Sequence, residues 1–147
     1  MRRIRAVSQV LAVVMLAGCG SDKVASPEDQ SPTTVSGVFA LQSVNQKPLP
    51  YSVVFADVDG DLTLTITSYK ITLQPGGKYA EEIVATARQG GQTTPPTTIP
   101  GTGTFVYTSS THAISLLSSS GDRITGTVLN ETMTLTDDTD TLVFRRQ

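Results

Sequence analysis

The segment from Leu62 to Thr67 alternates strictly between aliphatic residues and threonines. Strict alternation is typical of a β-strand with one buried face, because neighbouring side chains on a strand point to opposite sides. Tyr69, Ile71 and Leu73 continue the apolar pattern, but on odd-numbered positions. We therefore expect a β-bulge near Ser68 that returns the apolar residues to one face and bends the strand.

Short strand-like segments separated by turn residues follow one another after residue 36. Gln74–Gly77 is a strong hairpin turn, so the Glu81-Glu82 pair, although compatible with a short helix, is interpreted as part of a returning strand. Gln89–Gly101 contains three prolines and three glycines, so we expect a long mobile loop there. The predicted strands cover residues 37–44, 51–55, 62–73, 78–88, 102–107, 113–117, 123–129, 132–136 and 141–145.

These segments together predict an all-β fold, an antiparallel up-and-down meander, because no apolar period of helix length follows residue 35. About 110 residues are enough to bury a core of their own. The chain has one cysteine, Cys19, and one histidine, His112. A disulfide within the domain is therefore excluded, and no transition-metal site is expected.

The first eighteen residues have the layout of an export signal. Three arginines lie among residues 2–5, residues 10–16 are an unbroken apolar run, and the small residues Ala17 and Gly18 follow. This order of positive, apolar and small residues is that of a secretory signal. The apolar run is less than half of the roughly 20 residues that a transmembrane helix needs, so a permanent membrane span is not expected.

Leu16, Ala17, Gly18 and Cys19 form a Leu-small-Gly-Cys motif. This segment resembles the signals of bacterial lipoproteins, which it matches at all four positions. The resemblance implies cleavage between Gly18 and Cys19, a diacylglyceryl thioether on Cys19, and acylation of the new amino terminus with a chain such as palmitate. Gly20 follows the cysteine, where Asp would retain a proteobacterial lipoprotein at the inner membrane, so the outer membrane is expected. An ordinary secretory signal with a chance cysteine is the alternative.

Three segments follow from these features. They are a lipoprotein signal peptide at residues 1–18, a lipidated flexible tether at residues 19–35 and one domain at residues 36–147. Without the signal, eight basic residues stand against thirteen acidic ones, and this balance argues against a nucleic-acid partner, which needs a basic patch. No cofactor is expected other than the covalent lipid on Cys19.

Four stretches of the domain carry a second resemblance. They are Gly37–Pro50, Gly76–Tyr79, Gly103–Phe105 and Thr141–Arg146. They are similar to the small lipocalin-like domains of bacterial lipoproteins, and the similarity covers residues 36–147. It implies an up-and-down barrel of about eight strands. Many members carry Gly where this chain has Gln46, which points to a different turn there, and their ligands are mostly unassigned.

An eight-stranded barrel has room either for packed side chains or for one small ligand. Aromatic residues are few, and side chains that simply fill the core are the alternative to a ligand cavity. Tyr79 and Tyr107 would offer hydroxyl groups to a ligand, because a buried phenol needs a partner. The residues expected to line the interior are Phe39, Leu41, Leu64, Ile66, Tyr79, Ile83, Phe105, Tyr107, Leu135 and Phe144.

Other motifs favour no specific chemistry. Residues 57–61 carry three aspartates at the opening spacing of a calcium loop, but Leu62 stands where Gly is needed and Ser68 where Glu is needed, so a solvated turn is expected. The same holds for residues 137–140. His112 has no Gly-x-Ser-x-Gly partner motif for a serine triad.

The adjacent Glu81 and Glu82 raise the question of a catalytic carboxylate pair for glycoside hydrolysis. However, Glu81 and Glu82 point to opposite faces of a strand, so they cannot flank one glycosidic bond. One is expected in solvent and the other near the barrel mouth. We expect neither enzyme activity nor a metal site.

Two functions remain, and both place the chain in the cell envelope through a membrane-bound lipid. In the first, the barrel is a lipocalin-like module that binds a small apolar ligand. In the second, the barrel is filled, and the Gln89–Gly101 segment contacts another envelope protein. An open apolar cavity would favour the first, and an exposed apolar patch on a filled barrel would favour the second.

Overall fold

The computed structural model describes residues 35–56 and 60–147. In these two ranges every regular element is a β-strand, which confirms the predicted all-β fold. The same residues contain no helix with the length and apolarity that a membrane span needs. The strands are β1 (Gly37–Val44), β2 (Lys47–Pro48), β3 (Tyr51–Phe55), β4 (Leu62–Gln74), β5 (Lys78–Gln89), β6 (Gln92–Thr93), β7 (Thr97–Thr108), β8 (Ala113–Ser118), β9 (Arg123–Leu129), β10 (Thr132–Thr136) and β11 (Thr141–Arg146).

Two groups of sequence predictions lie outside the described residues. The first comprises the signal peptide, the cleavage and lipidation site at Gly18 and Cys19, and the tether up to residue 34. Asp57 and Asp59 form the second. Val35, the last residue assigned to the tether, is described and only 2% exposed, so its side chain packs with the domain.

Eight of the strands close into an antiparallel barrel. Around the ring, β1 is followed by β11, β10, β9, β8, β7, β5 and β4, and residues 70–73 of β4 pair again with residues 37–40 of β1. Closure removes the open edges that a flat sheet would leave. The structure thereby confirms the predicted up-and-down barrel of about eight strands. β2, β3 and β6 lie outside the ring and pair with β1, β4 and β5.

A β-bulge bends β4 where the phase of its apolar pattern changes. The pairing register between β4 and β5 shifts between Ile66 and Ser68. Thr67 is the extra residue, and it turns the sequence by one position so that Tyr69 and Ile71 lie on the same side as Ile66. The bulge expected near Ser68 is therefore present, and it keeps the apolar residues of both halves of β4 facing inward.

Apolar side chains from all eight barrel strands fill the interior. Phe39, Met133 and Phe144 have 0% exposure. Full burial of a side chain of this kind contributes about 1.5–3 kcal/mol, so the interior is the main source of stability. The other members of the buried cluster are Val35, Leu41, Val44, Ile71, Leu73, Tyr79, Phe105, Ile114, Leu116, Val128 and Leu135.

Contacts around Val35 fix the start of the domain at one end of the barrel. Arg146 donates a hydrogen bond from Nη1 to the carbonyl oxygen of Ser36 (2.9 Å), and its guanidinium carbon lies 5.0 Å from the ring centre of Phe39. The amide of Gln147 donates to the carbonyl oxygen of Val38 (2.9 Å). We call this end, where β1 begins, the base, and the other end, where β1 ends and β4 begins, the mouth.

The segment Gln89–Gly101 is largely paired, so the prediction of a long mobile loop was wrong. Gln92–Thr93 forms β6, and β7 begins at Thr97 and pairs with β5. Pro100 lies inside β7, although proline weakens a central strand. It is tolerated because β8 joins β7 only from Gly103 onward, so the first half of β7 has an open edge that needs no amide hydrogen.

Candidate functional site

Three neighbouring strands are longer than the rest of the barrel and continue past its mouth. β4 pairs with β1 only over residues 70–73, and β7 pairs with β8 only from Gly103 onward. The parts beyond those limits are residues 62–68 of β4, 83–89 of β5 and 97–101 of β7, which form a sheet with one another. β3 adds a strand along β4. We call this four-stranded sheet the extension.

One side of the extension continues the inner wall of the barrel. Ile66 lies opposite Ala85, which is 3% exposed, and directly opposed residues share a face. Phe55 and Ile99, farther from the core, are 50% and 47% exposed. We call this side the apolar face, and its residues are Tyr51, Val53, Phe55, Leu62, Leu64, Ile66, Ile83, Ala85, Ala87 and Ile99.

A polar pair lies where the apolar face meets the barrel core. The Tyr69 hydroxyl donates a hydrogen bond to Oε2 of Glu81 over 2.6 Å. The Tyr69 ring packs edge-on against the buried Phe144 ring, with 5.1 Å between centroids and 79° between planes. Glu81 lies opposite the buried Ile71, and Tyr69 lies opposite Ile83 of the apolar face. The pair therefore marks the boundary between the filled interior and the partly exposed mouth.

Glu81 has room on this wall because a glycine lies opposite it. Gly101 of β7 pairs with Glu81, and a Cβ atom there would lie 2.6 Å from Glu81 Cγ and 2.8 Å from Cδ. Any side chain at position 101 would therefore displace the carboxylate. Among residues 35–56 and 60–147, Glu81 has no ion pair, and the bond from Tyr69 is its side chain's hydrogen bond.

Two phenols of the inner wall are held in their neutral form. Burial is the main cause that raises the pKa of Tyr69, and the hydrogen bond to Glu81 and the charge of Glu81 raise it further. Burial also raises the pKa of Tyr79, with smaller contributions from the charges of Glu81 and Asp122. In both cases burial, the largest cause, disfavours the charged phenolate.

The structure separates the ten predicted lining residues into three groups. Six are buried in the core, namely Phe39, Leu41, Tyr79, Phe105, Leu135 and Phe144. Leu64, Ile66 and Ile83 are half-buried on the apolar face, beside the mouth. Tyr107 lies toward the base, where its hydroxyl is 3.2 Å from Nδ1 of His112. Leu64, Ile66 and Ile83 therefore adjoin the Tyr69–Glu81 pair, whereas Tyr107 does not.

Several residues of the candidate site were not predicted from the sequence to line the barrel, and Ile99, Tyr69 and Glu81 are among them. Ile99 lies in the segment that was predicted as a loop. Tyr69 was interpreted only as part of an apolar stripe. Glu81 was considered as one of two adjacent glutamates, and the structure turns it inward while Glu82 points outward, opposite Lys70. The alternation of Tyr79, Glu81 and Ile83 along β5 was the available signal for an inward carboxylate.

Open grooves lie on the outer wall of the barrel. One, of about 360 Å³, lies between β5, β7 and β8 beside Gly103 and Leu117. A second, of about 460 Å³, crosses β7, β8 and β9 over Ser115 and Thr125. A third, of about 360 Å³, has a polar lining that includes Arg123, Asp137 and Asp138. None of these linings combines a carboxylate with an apolar surface, as the mouth does. The mouth is therefore the stronger candidate for recognition.

The aspartate-rich turn at residues 137–140 is closed by its own hydrogen bonds. Oδ1 of Asp137 accepts from the amides of Thr139 (2.9 Å) and Asp140 (2.7 Å). These bonds lower the pKa of Asp137, because they favour its charged form. Across the described ranges, no three His, Cys, Asp or Glu side chains are grouped closely enough to hold a metal ion.

Comparisons with protein-family models, with curated proteins and with solved structures found no match to the chain. The candidate site is thus the apolar face with the Tyr69–Glu81 pair at its inner margin.

Proposed function

We propose that the chain is a lipid-anchored lipoprotein of the cell envelope whose lipocalin-like barrel binds a small apolar ligand at its mouth. The observation that supports ligand binding is the apolar face. It continues the core outward and leaves Phe55 and Ile99 about half exposed. A ligand that covered these side chains would remove apolar surface from water, which contributes roughly 25 cal/mol per Å².

The filled interior meets the criterion given above for contact with another protein, and it limits where a small ligand can lie. Ligand binding is placed first because the exposed apolar surface continues the inner wall of the barrel and meets the Tyr69–Glu81 pair there. Phe39, Met133 and Phe144 occupy the centre of the barrel with no exposure. A ligand is therefore expected against Leu64, Ile66 and the rest of the apolar face, above the core. Lipocalin-like architecture supports this arrangement because the open end of a small barrel is a common place for a ligand.

Native mass spectrometry of the protein after exposure to envelope extract tests this function. The sheet and the core lie within residues 35–147, so a chain that begins at Gly20 retains the described fold without the proposed lipid. We expect an adduct of small mass that is lost when Leu64 is replaced by Asp. The matched control is Val54→Asp, at a 59% exposed position on the other face of the extension. A bare mass under all conditions would contradict ligand binding.

The proposed anchor is the lipid on Cys19, and its support is the four-residue motif Leu16–Cys19. Two or more acyl chains hold a protein at a bilayer durably, since each buried methylene contributes about 0.8 kcal/mol. Metabolic labelling with palmitate should mark the wild type and the control Ser21→Ala but not Cys19→Ala. Label that persists in Cys19→Ala would exclude this anchor. The outer membrane is the proposed location because Gly20 follows the cysteine.

Contact with another envelope protein is the second candidate, and the exposed strand β3 favours it. β3 pairs with β4 along one edge, and Val54 and Phe55 are 59% and 50% exposed. An edge strand with exposed apolar side chains can add a strand from a partner. In-cell crosslinking from position 54 should then capture one defined protein, and the absence of any crosslinked product would count against this candidate.

A further inference from the structure

Among the described residues, the carboxylate of Glu81 has no cationic partner, although it lies at the margin of an apolar surface. Tyr69 supplies one hydrogen bond to Oε2, and no ion pair involves Glu81 within the described residues. A charge in such surroundings is costly unless it is paired or hydrated. Gly101 preserves the space around this carboxylate, so the wall is shaped to keep Glu81 at the mouth.

The turns around the mouth add negative charge. Asp61, Asp122 and the aspartates of residues 137–140 lie in turns at this end. Of the described basic residues, Lys47, opposite Val44 on β2, is the one on the inner side at this end. Arg88 lies opposite Thr63 on the outer face of the extension. Arg123 donates to Ser115 (3.1 Å) and shares an outer groove with Asp137 and Asp138, so it offsets part of their charge. A mouth of this charge concentrates cations and repels anions.

We propose that the ligand carries a cationic amine beside its apolar part, and that the Glu81 carboxylate binds the amine while the apolar face covers the rest. The proposal depends on the ligand-binding function given above and names the chemical class of the ligand. Glu81 would accept a charge-assisted hydrogen bond through Oε1 while Oε2 stays on Tyr69. A fatty acid would instead place its carboxylate against Glu81 and the surrounding aspartates, so anionic lipids are disfavoured.

Three ten-carbon probes that differ only in their polar end test the proposal. Decylamine, decanol and decanoate are titrated into the chain that begins at Gly20 by isothermal titration calorimetry at neutral pH. The two charged probes are kept below their micelle concentrations and decanol below its solubility limit. We expect decylamine to bind about tenfold or more tightly than decanoate, with decanol between them. Decanoate binding as tightly as decylamine would overturn the amine assignment.

Adjacent glutamates provide a matched pair of variants. Glu81→Gln should weaken decylamine binding about fivefold or more and leave decanol within about twofold, because only the charged contact is lost. Glu82→Gln removes the same charge from the outer face and should change neither probe. Equal effects of the two variants on decylamine would mean that Glu81 makes no specific contact, and would overturn the proposal.

A second variant leaves Glu81 intact in case Glu81→Gln fails to fold. Ile99 is 47% exposed on the apolar face, so Ile99→Lys should be tolerated and should place a competing ammonium near the carboxylate. We expect it to abolish the preference for decylamine over decanoate, and an unchanged preference would overturn the proposal. If none of the three probes binds the wild type up to about 1 mM, the ligand-binding function itself fails. Binding without amine preference contradicts only the inference drawn here.

Discussion

Replacing Tyr69 with Phe tests whether the polar pair at the mouth contributes to the fold. The change removes one oxygen and leaves the ring against Phe144. A hydrogen bond to a charged group contributes about 1.5–3 kcal/mol. Because Glu81 is only half-buried, water replaces part of that contribution, and we expect a loss near the lower limit, about 1.5 kcal/mol.

A double-mutant cycle with Glu81→Gln isolates the contact from the other effects of each change. Glutamine keeps an acceptor but removes the charge, so Tyr69→Phe should cost only about 0.5 kcal/mol in that background, which gives a coupling energy of about 1 kcal/mol. Urea unfolding followed by far-UV circular dichroism measures all four free energies of unfolding.

Tyr107→Phe is the matched control for this cycle. Its hydroxyl makes an exposed contact to His112 at 3.2 Å, and we expect a loss below about 0.5 kcal/mol. A loss for Tyr69→Phe no larger than that for Tyr107→Phe would contradict a stabilising Tyr69–Glu81 bond. Losses at Tyr69 and Glu81 that simply add within about 0.3 kcal/mol would contradict it as well.

Three further predictions concern the turn at Asn45 and Gln46, the close packing of Gly103 against Tyr79, and the stability of the fold at alkaline pH. Asn45 and Gln46 have φ of 50° and 66°, so Gln46→Gly should raise the free energy of unfolding by about 0.5–1 kcal/mol in urea titrations. Gly103→Ala should lower it by about 1–3 kcal/mol, because the new Cβ would lie 2.5 Å from the Tyr79 ring. Burial and Glu81 raise the pKa of Tyr69. The contribution of neutral Tyr69 to the free energy of unfolding is therefore complete below the unfolded pKa of about 10. Above that pH it is lost by about 1.4 kcal/mol per pH unit.

For each of these three predictions, a control variant or a contradicting result can be named. Gln74→Gly, at a strand position without positive φ, should destabilise by about 0.5–1 kcal/mol, and a similar loss for Gln46→Gly would contradict the turn argument. Thermal melts of Gly103→Ala that equal the wild type would show that the wall relaxes around the methyl group. Tyr69→Phe should lose less stability than the wild type between pH 10 and 11, and parallel pH curves would show that Tyr69 does not titrate as described.

Local patterns sufficed for the strands and the bulge. Alternation in β4 and the hairpin turn Gln74–Gly77 depend on neighbours in sequence, so the sequence carries them directly. The prediction at Gln89–Gly101 was wrong because Pro100 suits an open edge, and whether an edge is open depends on where β8 begins to pair. The residue at which β8 begins to pair with β7 is set by the geometry of the closed barrel, so the sequence of this segment alone does not predict it.

The candidate site was only partly accessible from the sequence for the same reason. Leu64, Ile66 and Ile83 follow from the inward phase of their strands. The Tyr69–Glu81 contact joins two strands twelve residues apart across a bulge, and Gly101 completes it from a third strand. Only the register of all three strands brings these side chains to one place.

The buried Val35 and the bond from Arg146 to Ser36 have a consequence for where the tether would meet the barrel. With the lipid on Cys19 as proposed, fifteen residues separate the anchor from Val35, a span of at most roughly 55 Å. This tether would join the barrel at its base, at the end opposite the mouth, so the point of attachment would leave the mouth free to receive a ligand.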